Sequence, residues 1–258
     1  MKATLLTQLK KTLTLWAKGA VTSVISLVGT SLPNRCLMCH QSMLLPDSGI
    51  CPACLSSTIY QQAVCLGCGR GMQVQARYCG SCVTKSPLLV IAPCSYHQGL
   101  GRWVGAIKYQ GQLAGLEVLS RALIERVWEL ESAGILVLPQ VLVPVPLHSK
   151  RLRKRGFNQA WLIAVAIGKQ LNIPVSSLGL ERCVDTKPQA ELTGKQRRSN
   201  LSNAFTLEGE LAYQRIALID DVVTTGTTAT EIASLFEAKH VHVQVWCLAR
   251  AEAPGLLD

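Results

Sequence analysis

Arg-Ile-Ala-Leu-Ile-Asp-Asp-Val-Val-Thr-Thr-Gly-Thr-Thr-Ala-Thr-Glu, residues 215–231, is the stretch of this 258-residue chain that decides its fold. The apolar run 216–219 predicts a buried strand, and two acids, Asp220 and Asp221, end it. A loop of threonines around Gly226 follows, and a helical pattern begins after it. A strand that leads through a Gly/Thr loop into a helix N-terminus builds an anion site, because the loop N–H groups and the positive helix end point at the ligand.

Each part of this stretch suits one part of a phosphorylated pentose. The paired acids suit two neighbouring ribose hydroxyls, and we predict that Asp220 and Asp221 are catalytic residues that hold the sugar. Gly226 lets the backbone approach a phosphate closely. The spacing resembles the motif that binds phosphoribosyl pyrophosphate (PRPP) in type I phosphoribosyltransferases. The predicted PRPP-binding residues here are Val222, Val223, Thr224, Thr225, Gly226, Thr227 and Thr228.

Two other kinds of loop share parts of this sequence pattern. An ordinary strand–loop–helix turn with threonine as the N-cap is the plain alternative. A P-loop for nucleoside triphosphates is excluded, because no lysine follows the glycine in the required order.

Composition describes an ordered globular chain with an anionic partner. A hydrophobic content of 48% with 16% charged residues excludes a disordered chain, and the length suits one or two domains. The net charge of +10 favours a phosphorylated small molecule, a nucleic acid or an anionic membrane, without choosing among them.

Residues 1–32 predict an amphipathic helical segment. Leu6, Leu9, Leu13 and Trp16 recur at helical spacing between lysines. No signal-peptide cleavage site follows, and the apolar stretch after Lys18 is too short for a transmembrane span. We predict that this helix packs on the rest of the protein, with peripheral membrane contact as the alternative. A cytoplasmic location with reduced thiols is expected.

Eight of the eleven cysteines form four C-x-x-C pairs, with eleven, ten and ten residues between successive pairs. Regular pairs in a reducing compartment favour zinc over disulfides or a redox motif. The predicted ligands of two structural zinc ions are Cys36, Cys39, Cys51, Cys54, Cys65, Cys68, Cys79 and Cys82. Sequential pairing would make two tandem zinc ribbons and close the shortest loops, whereas an interleaved cross-brace would alternate the pairs.

Strands and helices alternate after the cysteines. We predict a double zinc ribbon over residues 33–83 and a second domain over residues 88–258. Strands are expected near 89–96, 141–145, 173–183, 216–219 and 241–248, and helices near 100–109, 113–130, 158–171 and from 228. This alternation predicts an α/β domain with a parallel sheet covered by helices on both faces, and ligands of such sheets bind at the carboxyl ends of strands.

Residues 143–160 contain five cations in six positions, Lys150 to Arg155, directly after the strand at 141–145. Arginines can grip a pyrophosphate through paired hydrogen bonds. We assign His148, Arg151 and Arg155 to PRPP binding, and a general basic surface is the alternative that stays open.

The polar segment 182–205 lies between two predicted strands and shows no periodicity. Long loops of this kind are often lids over a site. We predict a basic lid over residues 182–200 in which Arg197 stabilises charge in the transition state, with a plain connecting loop as the alternative.

Four features together resemble the ComF (GntX-like) family. They are the C-x-x-C pairs, Lys-Arg-Gly-Phe-Asn-Gln-Ala at 154–160, Thr186…Gln189…Arg197-x-x-Asn200, and Asp-Asp-Val-Val-Thr-Thr-Gly-Thr-Thr at 220–228. The resemblance spans roughly residues 33–250 and implies a type I phosphoribosyltransferase-like domain behind a zinc-binding segment. Several members of that family are linked to natural competence for DNA uptake. The resemblance does not supply an acceptor.

Three functions follow from these expectations. The first is a Mg²⁺-dependent phosphoribosyltransferase that uses PRPP and an unknown nucleophile. The second is a non-catalytic module that binds PRPP or a nucleotide. The third is an adaptor in DNA uptake that binds single-stranded DNA or DNA-uptake proteins, although an aromatic content of 5% gives little support for base stacking.

Overall fold

The computed structural model describes residues 34–44, 47–97, 115–184 and 204–252. The chain forms two compact units, Met1–Cys51 and Pro52–Asp258. Three predicted features lie outside the described residues: the amphipathic segment 1–32, the helix near 100–109, and most of the 182–200 lid with Arg197. Among the described residues, no helix is long and apolar enough to cross a membrane.

The described part of the first unit is a tight turn that holds the first cysteine pair. An isolated antiparallel bridge joins Arg35 to Ser42. Within it, the Cys36 N–H donates to the Gln41 carbonyl at 2.9 Å and the Leu37 N–H to the Gly49 carbonyl at 2.8 Å. These backbone bonds fix the turn locally.

The second unit starts with short elements that carry the other cysteine pairs. These are α1 (Pro52–Thr58), the antiparallel strands β1 (Ala63–Val64) and β2 (Gly71–Met72), and α2 (Gly80–Val83). Cys65 and Cys68 lie in the turn between β1 and β2. Both strands have two residues each, so the elements alone cannot form a stable structure.

The rest of the second unit is an α/β domain with a central sheet. Its strands are β3 (Leu89–Ile91), β4 (Cys94–Ser95), β5 (Val141–Pro144), β8 (Arg215–Val223) and β9 (His242–Arg250). Their order is β3-β9-β8-β5, and β4 pairs with the end of β9. Every one of these pairings is parallel, as the sequence predicted.

Helices cover both faces of this sheet. The domain's helices are α3 (Leu116–Ser132), α4 (Ser149–Arg155), α5 (Gln159–Leu171) and α6 (Thr227–Glu237). Phe236 of α6 packs in one core cluster with Leu218 of β8. Side chains alternate along a strand, so the fully buried Ile219 faces the opposite side, where α3 and α5 contact the sheet. The α/β prediction is confirmed.

Two regions differ from the sequence-based expectation. The predicted strand at 173–183 is shortened to β6 (Leu180–Arg182), which pairs antiparallel with β7 (Phe205–Leu207) in a separate two-stranded sheet. Pro174 and the left-handed backbone at Leu178 and Gly179 break the run. The basic run forms its own helix, α4, which ends at the left-handed Gly156.

The central sheet should be sensitive to cavities. Leu142→Ala removes a fully buried side chain, and we expect it to lower the free energy of unfolding by about 2–5 kcal/mol. Val137→Ala is the control, because Val137 is 60% exposed and should change stability by less than about 0.5 kcal/mol. Denaturant unfolding of the zinc-loaded proteins measures both, and equal small losses would contradict the packing described here.

Candidate functional site

The carboxyl ends of three parallel strands meet at one edge of the sheet. Beyond β5, the Val145 N–H donates to the Ile219 carbonyl of β8 at 2.9 Å. Beyond β9, the Ala251 N–H donates to the Val223 carbonyl at 2.8 Å. Val145, the first residue after β5, therefore lies beside β8 just before Asp220, whereas β8 itself continues to Val223.

The two acids lie at this edge but differ in accessibility. Asp220 is half-buried and pairs in register with Cys247, whereas Asp221 is only 5% exposed. Successive strand residues point to opposite faces, so the two carboxylates diverge. Asp220 accepts from the Asp221 N–H, and Asp221 accepts from the Val222 N–H, each at 2.8 Å. Asp220 is thus the better placed of the two to meet a ligand.

Residues 224–228, here called the phosphate loop, run from the end of β8 through the first two residues of α6. Thr224 and Thr225 are exposed, and the hydroxyls of Thr225 and Thr227 are 2.8 Å apart. Gly226 is the N-cap of α6 with φ of 72°, a backbone conformation that favours glycine. A Cβ on Gly226 would find its nearest neighbour, the Val223 Cγ1, only at 4.0 Å. The loop therefore opens into space in front of the helix N-terminus.

Helix α6, which starts at Thr227 within this loop, has eleven residues. The first N–H groups of any α-helix have no acceptor within the helix, and the helix dipole makes this end positive. The α6 N-cap residue makes no side-chain capping bond. The chemistry of this end suits an anion with several oxygens, such as a phosphate.

The predicted basic residues are held in three different ways around α4. His148 is its N-cap, and its Nδ1 accepts from the Lys150 N–H at 3.3 Å. Arg155, at the other end, donates to the Oε1 of the buried Gln159 at 2.7 Å. Arg151 is half-buried on the helix. Three further cations of α4 are exposed: Lys150, Arg153 and Lys154.

Sequence reasoning missed the residue that ties α5 to this edge. The Asn158 Nδ2 donates to the Val145 carbonyl at 3.0 Å, and its Oδ1 accepts from the Ala160 N–H at 3.1 Å. The signal was present, because asparagine before an apolar helical pattern is a preferred N-cap. Arg250 and Glu252, also missed, carry no such local signal. Arg197 lies outside the described residues, so its predicted catalytic role stays a prediction.

The eight paired cysteines assemble in the sequential grouping. One group is Cys36, Cys39, Cys51 and Cys54, and the other is Cys65, Cys68, Cys79 and Cys82, with all sulfurs of a group within 4.8 Å of one another. The Sγ–Sγ distance is 3.8 Å between Cys39 and Cys51 and 3.7 Å between Cys68 and Cys79. A tetrahedral zinc with Zn–S bonds of about 2.3 Å places its sulfurs about 3.8 Å apart.

Backbone and hydroxyl donors around the sulfurs also suit thiolates. The Cys51 N–H donates to the Cys36 Sγ at 3.3 Å, and the Cys79 N–H to the Cys65 Sγ at 3.2 Å. The Ser81 hydroxyl, followed by the neighbouring thiols, lowers the pKa of Cys79 to about 6. Burial raises the pKa of Cys82 to about 12. A metal ion is therefore needed to hold all four as thiolates, and both groups fit structural zinc with no open ligand position.

Comparison with known proteins supports the zinc assignment and reveals relatives. Residues 27–83 match the double zinc ribbon domain family. The chain is 35% identical over 225 residues to competence protein F of Haemophilus influenzae, covering 84% of this chain and 97% of that protein. It is 32% identical to the DNA utilization protein YhgH of Escherichia coli, covering 85% and 98%, and 28% identical to competence protein ComFC of Bacillus subtilis, covering 72% and 77%.

Among solved structures, an adenine phosphoribosyltransferase from Leishmania tarentolae is similar over 55% of this chain and 72% of its own, with 17% identity and a TM-score of 0.30. A score this low supports no conclusion about ligand or activity. The double zinc ribbon ahead of a parallel α/β domain is confirmed by the cysteine groups and the sheet pairings themselves.

We expect about two zinc ions per chain in reduced protein, and about one after Cys51→Ser, which removes a ligand of the first group. Folding of so small a site depends on its metal, so protease sensitivity of residues 34–51 should rise while the sheet domain stays folded. Cys183→Ser is the control, because this exposed cysteine belongs to neither group. Elemental analysis that finds less than about one zinc in the unmodified chain would contradict the assignment.

Proposed function

Because the chain belongs to the ComF family of competence proteins, we propose that its sheet domain binds PRPP with Mg²⁺ and transfers the phosphoribosyl group to a nucleophile not yet identified. One observation carries the proposal. Asp220 lies near the carboxyl end of β8, separated from the phosphate loop by residues 221–223, and that loop leads into the N-terminus of α6. A sugar contact and a phosphate contact are thus joined in one short segment.

The proposed roles follow from the geometry of the edge. Asp220 binds a ribose hydroxyl, and the more buried Asp221 orders the strand end through the Val222 N–H. Residues 224–228 and the α6 N-terminus hold the 5′-phosphate. His148 and Arg151 are the candidates for the pyrophosphate, because they follow Val145, which bonds to the Ile219 carbonyl directly before Asp220. Arg155, fixed by Gln159, contributes charge from the end of α4.

The proposed reaction breaks the bond between the anomeric carbon and pyrophosphate. Pyrophosphate leaves with the electron pair, the nucleophile attacks the anomeric carbon, and the nucleophile loses its proton. Positive charge develops on the sugar, so the protein acts by positioning the groups and stabilising charge. Mg²⁺ would neutralise the leaving pyrophosphate, with carboxylate and phosphate oxygens as its ligands. Arg197, assigned from the sequence alone, would add positive charge there.

A second candidate function rests on the exposed face of α4. Lys150, Arg153 and Lys154 are exposed on one short helix, and such a cluster attracts nucleic-acid phosphates. The names of the relatives concern competence and DNA utilization. We propose this face for contact with single-stranded DNA, alongside the PRPP site rather than in place of it.

Gly226→Val should abolish PRPP binding, because the new side chain would enter the space in front of the phosphate loop. Gly209→Val is a matched control: Gly209 has a φ of +83°, and a Cβ there also meets nothing within 4 Å. Both variants bear the same backbone strain, of roughly 1–2 kcal/mol, and only Gly226→Val should lose binding. Calorimetry with PRPP and Mg²⁺ measures this. No heat from the unmodified protein would refute the proposed ligand.

Asp220→Asn should weaken PRPP binding more than Asp221→Asn, because Asp220 is the more accessible carboxylate. Loss of a charged hydrogen bond typically costs about 1.5–3 kcal/mol, or roughly 10- to 150-fold in affinity. Asp221→Asn should instead lower thermal stability, since Asp221 is buried and accepts from the Val222 N–H. The reverse order in both measurements would overturn the assignment of these two acids.

Charge reversal on α4 separates the two candidate functions. Arg153→Glu together with Lys154→Glu should reduce binding of single-stranded DNA and flatten its salt dependence, while PRPP binding is retained. Asp220→Asn should do the opposite. Fluorescence anisotropy with a labelled oligonucleotide at several salt concentrations gives the readout, and DNA binding unaffected by the double variant would remove α4 as the DNA-binding face.

A further inference from the structure

The last residue of β9 and the two residues after it, 250–252, join two parts of the second unit. Their backbone contacts the strand that carries the phosphate loop: the Ala251 N–H donates to the Val223 carbonyl at 2.8 Å. Val223 is the last residue of β8, and Thr224 begins the loop. The 250–252 segment therefore holds the point from which the phosphate loop departs.

The side chain of Arg250 points to the second zinc group. Its Nη1 donates to the Leu66 carbonyl at 3.3 Å, and its Nη2 donates to the Gly67 carbonyl. Leu66 and Gly67 are the two residues between the zinc ligands Cys65 and Cys68. One guanidinium thus binds both backbone carbonyls inside the metal-binding turn.

Glu252, on the other side of Ala251, adds further contacts between residues 250–252 and earlier residues of the second unit. Its carboxylate accepts from the hydroxyls of Tyr60 and Ser95, the latter at 2.8 Å. Glu252 is 5% exposed and Ser95 fully buried. The turn lies directly against both charged residues, because a Cβ on Gly69 would be 2.9 Å from the Glu252 Cγ and 3.1 Å from the Arg250 Nε.

Burial of the Arg250 guanidinium needs compensation. Arg250 is only 9% exposed, and a buried charge is costly unless it is paired or hydrogen-bonded. Burial lowers the pKa of Arg250, and the sulfur of Cys247, followed by those of Cys68 and Cys65, acts in the opposite direction. Four thiolates on one Zn²⁺ carry a net negative charge, so a metal-loaded second group suits a neighbouring guanidinium.

We propose that Arg250 is a positioning residue through which the second zinc site orders the phosphate loop. The metal shapes the turn at 65–69, the turn holds Arg250, and the adjacent Ala251 holds Val223 at the start of the loop. In this proposal the second zinc ion supports ligand binding as well as folding. The identity of the ligand rests on the function proposed above. The coupling between the second zinc site and the phosphate loop does not require a bound ligand.

Hydrogen exchange of the ligand-free, zinc-loaded protein tests the coupling directly. Arg250→Met should raise the exchange rate of amides in residues 220–230 by roughly 2- to 30-fold, the usual range for such coupled positions. Arg121→Met is the matched control, because this arginine is exposed on α3 with a side-chain exposure of 62%, and it should leave the loop unchanged. Arg250→Lys, which keeps the charge but offers one donor nitrogen in place of the two that bind the turn, should fall between the two.

Metal ligands provide a second test if Arg250→Met fails to fold. Cys79→Ser removes a ligand of the second group and Cys39→Ser a ligand of the first. Exchange at 220–230 should rise more in Cys79→Ser than in Cys39→Ser, with about one zinc left in each protein. The proposal is overturned if folded Arg250→Met or Cys79→Ser shows the exchange rates of the unmodified protein at 220–230.

A titration with PRPP and Mg²⁺ separates this inference from the proposed function. If the unmodified protein binds PRPP, Arg250→Met should weaken binding by about the factor found in exchange, and unaltered affinity would overturn the inference while the proposed function stands. If the unmodified protein binds no PRPP, the proposed function fails. The exchange comparison then still decides whether the zinc site orders the loop.

Discussion

Parallel pairing of β8 with β5 on one side and β9 on the other positions the residues of the candidate site. Ile219 pairs with Pro144, the last residue of β5, and with Trp246 of β9, and β8 and β9 continue paired to Val223 and Arg250. The interior of β8 is fully buried, and its backbone groups are satisfied only by its two neighbours. Asp220 is the first residue of β8 beyond its pairing with β5, and it still pairs with Cys247 of β9.

In the cysteine-rich segment, stability depends on zinc rather than on strand pairing. The elements around the second group are a two-stranded hairpin and a four-residue helix, which are too short to be stable without further support. Leu66 and Val64 are buried there, but such a small core cannot offset the entropy of ordering the chain. Binding of a structural zinc to small sites of this kind contributes on the order of 10–16 kcal/mol, which is enough to order the turns.

The parts of the structure that the sequence predicts well are those with strong local chemistry. The apolar run before Asp220, the glycine at the start of α6 and the four C-x-x-C pairs are local patterns, and each is found where it was expected. The predicted strand at 173–183 was largely wrong, because its apolar residues pack without joining the main sheet beyond a single bridge at Val175. The divergence of the two acids follows from strand alternation, and the structure shows that Asp221 is the buried one.

Arg250 and Glu252 show why polar contacts between residues far apart in the sequence escape such prediction. They contact Leu66 and Tyr60, which are more than 180 residues away in the chain, and nothing in their local sequence indicates these partners. A buried polar network is stable only when each member is satisfied, so these contacts permit one placement of the metal-binding turn, whereas an apolar contact would tolerate sliding. Thr224 and Thr225 of the phosphate loop are exposed. Val223, directly before this loop, accepts from the Ala251 N–H, and Ala251 lies between Arg250 and Glu252, so the same contacts fix the residue from which the loop departs.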